Sequence, residues 1–238
     1  MNRRQIVSAI SALGALTTAC TGKAQERVQG RAPALQPPKG KILVAFLLSQ
    51  DAQVIDFTGP WEVFQDVHVR SRGFSMDEQM PFSLLTVAES PEALDATGGL
   101  TIVPDRTFAN VPQPNVIVIP AQSRPTPAAI EWLKKASAQA DVTMSVCTGA
   151  FVLAAAGMLD GLSATTHFGA VSRLARDYPK IDVKRDVRFV ENEKISTSAG
   201  LSAGIDLALR VVERYFGRGI AQATAEQMQY EGTSWKVA

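Results

Sequence analysis

The chain has 238 residues, of which 46% are hydrophobic, with 24 Lys and Arg against 23 Asp and Glu and two cysteines. That length supports one ample α/β domain or two small ones without covalent staples. The two cysteines exclude a disulfide framework and a four-thiolate zinc site, and the near-neutral charge argues against a dedicated nucleic-acid binder. The charge is unevenly spread, however. Residues 1–40 hold six basic and one acidic residue, and the remainder holds 18 basic and 22 acidic. Such asymmetry marks a leader on a mildly acidic body.

In chain order, Asn2-Arg3-Arg4-Gln5 is a short cationic start, followed by 14 uncharged residues from Ile6 to Ala19. A basic start, a short apolar run and small residues at its end form an export signal over residues 1–20. The run is too short for a membrane span, which needs roughly 20 residues. Arg3-Arg4 also fits a twin-arginine signal. Ala19-Cys20 resembles a bacterial lipoprotein cleavage box, although Thr17 stands where an aliphatic residue is usual. Lipidation at Cys20 and plain cleavage nearby both stay open. Residues 21–40 carry Pro33, Pro37 and Pro38 without apolar periodicity, which predicts a flexible tether. The folded domain is then 41–238, exported to the periplasm or lipid-anchored at a bacterial envelope.

The body alternates strand and helix signals. Lys41 to Leu48 is a continuous apolar run, as in a strand buried on both faces. Pro60 predicts the first turn of a helix. Phe82 to Val87 reads as a strand, Gly98 to Asp105 as a turn with a short β segment, and Asn115 to Pro120 as another buried strand. Ala128 to Ala140 has helical composition, Val142 to Val146 returns to β, and Thr148 to Met158 is helix-prone. Leu201, Ile205, Leu209, Val212 and Phe216 share one helical face. Repeated βα alternation predicts a mostly parallel sheet between two helical layers.

Cys147 ends a predicted strand and precedes a predicted helix. That turn lies at the sheet edge where open α/β proteins bind ligands. Gly149 and Ala150 leave room for a tight nucleophile elbow, and a helix N-terminus favours thiolate. A cysteine merely filling space at a strand end is the competing reading. Cys147 is the one cysteine of the body, so it has no internal disulfide partner. No His/Cys/Asp cluster shows metal-ligand spacing.

Ser145-Val146-Cys147-Thr148-Gly149-Ala150, then Ala155 to Gly161, then Ala164-Thr165-Thr166-His167-Phe168 resemble the ThiJ/PfpI superfamily, most of all its isonitrile hydratase branch. Asp56-Phe57-Thr58-Gly59-Pro60 and Ser198-Ala199-Gly200-Leu201-Ser202-Ala203-Gly204 agree, and the resemblance runs from about Lys41 to Tyr230. It implies a flavodoxin-like three-layer α/β sandwich, usually a homodimer, with the cysteine on a strained elbow. It also implies a small-molecule substrate: water adds to an isonitrile and gives an N-substituted formamide. Cys147 would attack, Asp56 would supply the proton and help activate water, and Thr148 would hydrogen-bond near the thiolate. No cofactor, metal or nucleic acid is implied. By itself, Asp56 also reads as a cap for the helix at Pro60.

Other branches place a histidine directly after the cysteine, where this chain has Thr148, so a Cys-His dyad is not expected. His167 reads as structural, though it and Gly149 belong to the candidate pocket. A Gly-Gly pair that often forms an anion-stabilising hole in the family is replaced by Ala121-Gln122-Ser123, and Gln122 is expected to narrow the pocket. The loops Val67–Pro81 and Ala121–Pro127 are expected to shape it. Other readings of the body are an envelope redox or ligand sensor built on Cys147, a glyoxalase-like activity, against which the missing Cys-His dyad argues, and a regulator. The short stretch after the late helix leads us to expect no fused helix-turn-helix module.

Overall fold

A computed structural model describes residues 31–236. The chain runs through β1 (Ile42–Leu47), α1 (Val54–Gln65), α2 (Met76–Gln79), β2 (Phe82–Ala88), β3 (Leu94–Asp95), β4 (Thr101–Ile102), β5 (Arg106–Thr107) and β6 (Val116–Ile119). It continues through α3 (Pro127–Gln139), β7 (Val142–Ser145), α4 (Ala150–Ala155), β8 (Ser163–Ala164), α5 (Val171–Asp177) and β9 (Asp182–Val183). It closes with β10 (Phe189–Glu191), β11 (Ile195–Ser198), α6 (Ala203–Phe216) and α7 (Arg218–Gln227). Seven strands form one sheet in the order β10-β11-β7-β6-β1-β2-β5. All its pairings are parallel except that of β10 with β11.

The continuous apolar runs are explained by burial on both faces. Along β1, Ile42, Val44 and Phe46 join the core under α1, α6 and α7, while Ala45 and Leu47 join the core under α3, α4 and α5. A strand alternates its side chains with period two, so a strand between two helical layers needs apolar residues at every position. The three-layer, flavodoxin-like α/β sandwich expected from the sequence is the observed fold.

Four expectations are corrected. First, α1 begins at Val54, not at Pro60, so Pro60 lies inside it. Gly59 and Pro60 are poor helix-interior residues, and the helix is held instead by burial of Phe57, Val63 and Phe64. Second, α5, α7 and the β10–β11 hairpin carry no strong periodic signal and have no counterpart among the expected elements. Third, the loop 67–81 does not shape the site. It lies at the amino end of β1, where Lys41 Nζ meets Asp77 Oδ1 at 2.9 Å and the Met80 carbonyl at 2.7 Å.

Fourth, the end of the predicted tether 21–40 is docked on the domain. Ala32 is buried, Arg210 and Arg214 donate to the carbonyls of Ala32 and Pro33, and the Leu35 amide donates to the Arg214 carbonyl at 2.7 Å. Arg72 holds the carbonyls of Pro38, Lys39 and Gly40. Backbone carbonyls need no sequence pattern to bind a guanidinium, which is why composition misreads this segment. The export signal 1–20, Cys20 and the rest of the tether lie outside the described residues. No helix among the described residues is long and apolar enough to cross a membrane.

The docked segment rests on a buried charge cluster. Arg210, 3% exposed, pairs with Glu191 at 2.8 Å and Glu213 at 3.2 Å. Burial pushes the Glu191 carboxyl up, against the pull of the two arginines. Arg210→Met would strip the buried Glu191 carboxylate of its hydrogen-bonded partner, while Glu213 keeps Arg218 at 2.7 Å, a loss of about 3 kcal/mol. Thermal melting is expected to show a fall of about 10 °C, with residues 32–35 newly open to limited proteolysis.

Candidate active site

The site is assembled at the carboxyl ends of four adjacent strands. β1 leads into α1 with Asp56, β6 ends before Ala121, β7 ends before Cys147, and β11 ends before Leu201. The β1/β6 boundary is where the strand order of this fold reverses, the position at which such sheets bind ligands.

Cys147 stands on a strained elbow. Its φ is +58°, a region that non-glycine residues seldom occupy and that surrounding structure must enforce. Its amide donates to the Ala199 carbonyl at 3.0 Å, and its own carbonyl accepts from the buried Thr166 hydroxyl at 2.8 Å. The elbow leads through a single 3-10 turn, Cys147–Gly149, into the six-residue α4. Gly149 is required for close approach: a Cβ there would meet the Ile119 carbonyl oxygen at 2.2 Å and that of Pro120 at 2.8 Å. Both obstacles are backbone and cannot swing away. Gly149→Ala is therefore expected to cost about 2–3 kcal/mol of stability and most of any activity, read by melting and turnover on the same sample.

Asp56 is fully buried in the first turn of α1. Its Oδ2 accepts from the Ala121 amide at 3.1 Å, and its Oδ1 has no hydrogen-bond partner of normal geometry. The carboxylate faces the Cys147 thiol and the Leu201 N–H. It does not cap a helix at Pro60, because that helix has already begun. Burial pushes its pKa up to about 6, although the Ala121 amide, the thiol and the Leu201 amide all favour the charged form.

The thiol departs from the sequence expectation. Burial, reinforced by the Asp56 charge, pushes the Cys147 pKa up to about 11. The amides of Thr148 and Leu201 pull the other way and lose. Desolvation at a 7%-exposed residue thus outweighs the start of so short a helix. At neutral pH the resting pair is a thiol beside a carboxylate, sharing one proton between them.

The remaining candidate residues divide. Thr148 serves the sulfur through its backbone N–H, while the residue lines a neighbouring cleft. Ala121 cannot supply a free oxyanion donor, because its N–H is committed to Asp56. The Gly149 N–H is likewise committed, to the Val146 carbonyl at 2.9 Å. Gln122 accepts from the Ser49 amide at 2.7 Å. It ties the loop after β6 to the end of β1 and lines the cavities on both sides of that contact. His167 Nδ1 accepts from the Gly169 amide at 3.2 Å, capping a 3-10 turn. A Cβ on Gly200 would meet the His167 ring at 2.3 Å. His167 therefore buttresses the loop that carries Leu201. Cys20 lies outside the described residues.

Sequence reasoning missed Thr166, Ala199 and Leu201, which position Cys147 and Asp56. Leu201 also has a positive φ, +55°. The Thr-Thr-His and Ser-Ala-Gly-Leu segments were singled out, but nothing in them signals which backbone groups turn toward the thiol. Gly204 lets α6 approach closely: a Cβ there would sit 2.9 Å from Val146 and 3.3 Å from Pro60. This gives the Gly-Pro of α1 its packing partner.

The chain is similar to several known proteins. The family model described as the DJ-1/PfpI family matches residues 42–214. The chain is 31% identical over 192 residues to an isonitrile hydratase from Pseudomonas putida, covering 79% of this chain and 78% of that protein. It is 31% identical over 136 residues to the HTH-type transcriptional regulator CdhR of Pseudomonas aeruginosa, covering 56% of this chain and 40% of that one. The crystal structure of a ThiJ/PfpI family protein from Pseudomonas syringae superimposes with a TM-score of 0.70 at 26% identity, over 82% of this chain and 77% of that one.

Proposed function

The chain belongs to the DJ-1/PfpI family, and on that premise we propose that it is a cysteine-dependent lyase that hydrates isonitriles to N-substituted formamides. The observation that carries the reading is the buried Cys147–Asp56 pair, which holds one mobile proton beside a nucleophile.

The terminal carbon of an isonitrile must gain a nucleophile and a proton. Cys147 Sγ bonds to that carbon as its own proton passes to Asp56, and Asp56 delivers the proton to the same carbon. The product is a covalent thioimidate, R–N=CH–S–Cys. The amides of Thr148 and Leu201 stabilise charge on sulfur as it develops. Asp56, again a carboxylate, takes a proton from water as the water oxygen adds to the thioimidate carbon. The nitrogen is protonated, the C–S bond breaks, sulfur regains its proton, and R–NH–CHO leaves. The net change is addition of one water, with no redox step.

The test is direct. Purified protein incubated with cyclohexyl isonitrile is expected to yield N-cyclohexylformamide at a rate proportional to enzyme. Absence of formamide above the uncatalysed rate, across several isonitriles, would remove the proposal. A second reading, a non-catalytic sensor, draws on the likeness to the regulator CdhR. It fares less well for redox, because oxidation follows thiolate character and burial pushes this thiol up. Export, anchoring at Cys20 and homodimer formation belong to the proposal on sequence grounds. Mass analysis of the native N-terminus and sedimentation test them.

A further inference from the structure

One surface cleft adjoins the elbow. It measures about 430 Å³ and includes Thr148 among its lining residues. Phe151 and Tyr178 form an apolar wall, their rings 6.2 Å apart edge to face. Two guanidiniums complete the lining: Arg124 from the loop after β6, and Arg173 from α5. Arg173 is laid over the Phe151 ring at 4.2 Å, so its charge is held at the wall. Among the described residues, no carboxylate forms a salt bridge with either arginine. The acid in the same cleft, Asp177, is already bound to Arg176 at 2.9 Å. The cleft therefore presents two arginines against one carboxylate, which Arg176 already holds, beside the aromatic wall. A neighbouring cavity of about 360 Å³ beyond Gln122 is mainly apolar, and its acid, Glu89, is bonded to the Thr126 hydroxyl at 2.6 Å.

We infer that this cleft binds a carboxylate, and that the substrate handled at Cys147 is a small isonitrile bearing one. A planar guanidinium suits a carboxylate through paired N–H donors, and the aromatic wall suits a short hydrocarbon body between the acid and the reacting carbon. The choice of substrate rests on the hydratase reading, while the anion site is measurable without it.

Calorimetry supplies the first arm, with 3-phenylpropanoate as probe. Wild type is expected to bind it, and the Arg124→Ala/Arg173→Ala double variant to bind about tenfold more weakly, since each exposed pairing contributes little alone. The Arg124→Lys/Arg173→Lys variant should retain part of the affinity. Equal binding of the neutral 3-phenylpropanamide, undiminished binding in the alanine variant, or tighter binding of inorganic phosphate would overturn the inference. The second arm is kinetic: kcat/KM for isocyanoacetate relative to its methyl ester. That ratio is expected to fall about tenfold in the alanine variant. An unchanged ratio overturns the inference and leaves the hydratase reading standing. No turnover of either compound, with anion binding intact, overturns the hydratase reading and leaves the anion site standing.

Discussion

Cys147→Ala is expected to lower formamide production by about a thousandfold or more, because it removes the atom that forms the covalent bond. The variant should fold. Cys147 is one of many buried residues in the core beneath α1 and α6, and alanine keeps the backbone contacts to Ala199 and Thr166 that hold the elbow. Loss of the thiol also removes a partner of Asp56, so a small change in melting temperature is expected alongside the large change in rate. Cys147→Ser separates nucleophilicity from shape. A hydroxyl fits the same space and can still donate toward the carboxylate, yet it is far less nucleophilic, so turnover is expected to stay near the alanine level. Turnover near wild type in either variant would show that the thiol does no chemistry. The assay is formamide release, with the melt recorded on the same preparation.

The second large effect concerns Asp56. Asp56→Asn keeps the shape and an oxygen for the Ala121 amide but cannot accept or deliver the proton, so turnover is expected to fall at least about a hundredfold. Stability should move the opposite way. The folded pKa of Asp56 is raised to about 6 from 3.8, so between those values the folded state holds a proton that the unfolded chain has released. Stability contributed by that proton is present below about pH 4 and is lost as pH rises through about 6. At neutral pH the ionised, buried carboxylate costs on the order of 2–3 kcal/mol, and the uncharged amide is spared it. Asp56→Asn should therefore melt higher than wild type at pH 7 while being nearly inactive, and its advantage should vanish near pH 4. The same titration governs rate. In wild type kcat/KM is expected to rise with pH through about 6, as the pair gives up its second proton, and to fall again toward about 11, where the thiol loses the last one.

The legible and illegible parts of this molecule differ in physical kind. The apolar runs of β1, β6 and β7 stand out because a strand covered on both faces needs apolar residues throughout. The Cys-Thr-Gly turn stands out because a tight strand-to-helix elbow needs a residue without a side chain, and Gly149 fills that need against the Ile119 carbonyl. Local rules mislead where long-range packing overrides them. Pro60 signals a helix start, yet α1 runs through it because Phe57, Val63 and Phe64 bury its inner face. The proline-rich stretch before Lys41 reads as tether, yet Arg210 and Arg214, 178 and 181 residues away in sequence, bind its carbonyls.

The ionisation of the site was the least readable of all. Proximity to a helix start suggested thiolate, but a pKa is set by the water excluded from around the group. That exclusion comes from four strand ends, α1 and the Leu201 loop closing over Cys147. The positive φ of Leu201, which brings its amide to the pair, has no marker in the residue itself. Arg124 and Arg173 carry no signal in the sequence, because arginines are common on surfaces. Only the folded chain sets both in one cleft with Thr148.

The covalent intermediate is the most direct point of contact between this mechanism and experiment. Wild-type protein mixed with cyclohexyl isonitrile and quenched in acid within the first turnover should gain the mass of one substrate molecule. Peptide mapping should place that mass on the fragment containing Cys147, with the adduct decaying as formamide appears. Formamide release with no adduct at any quench time, or an adduct on another residue, would contradict nucleophilic addition by Cys147.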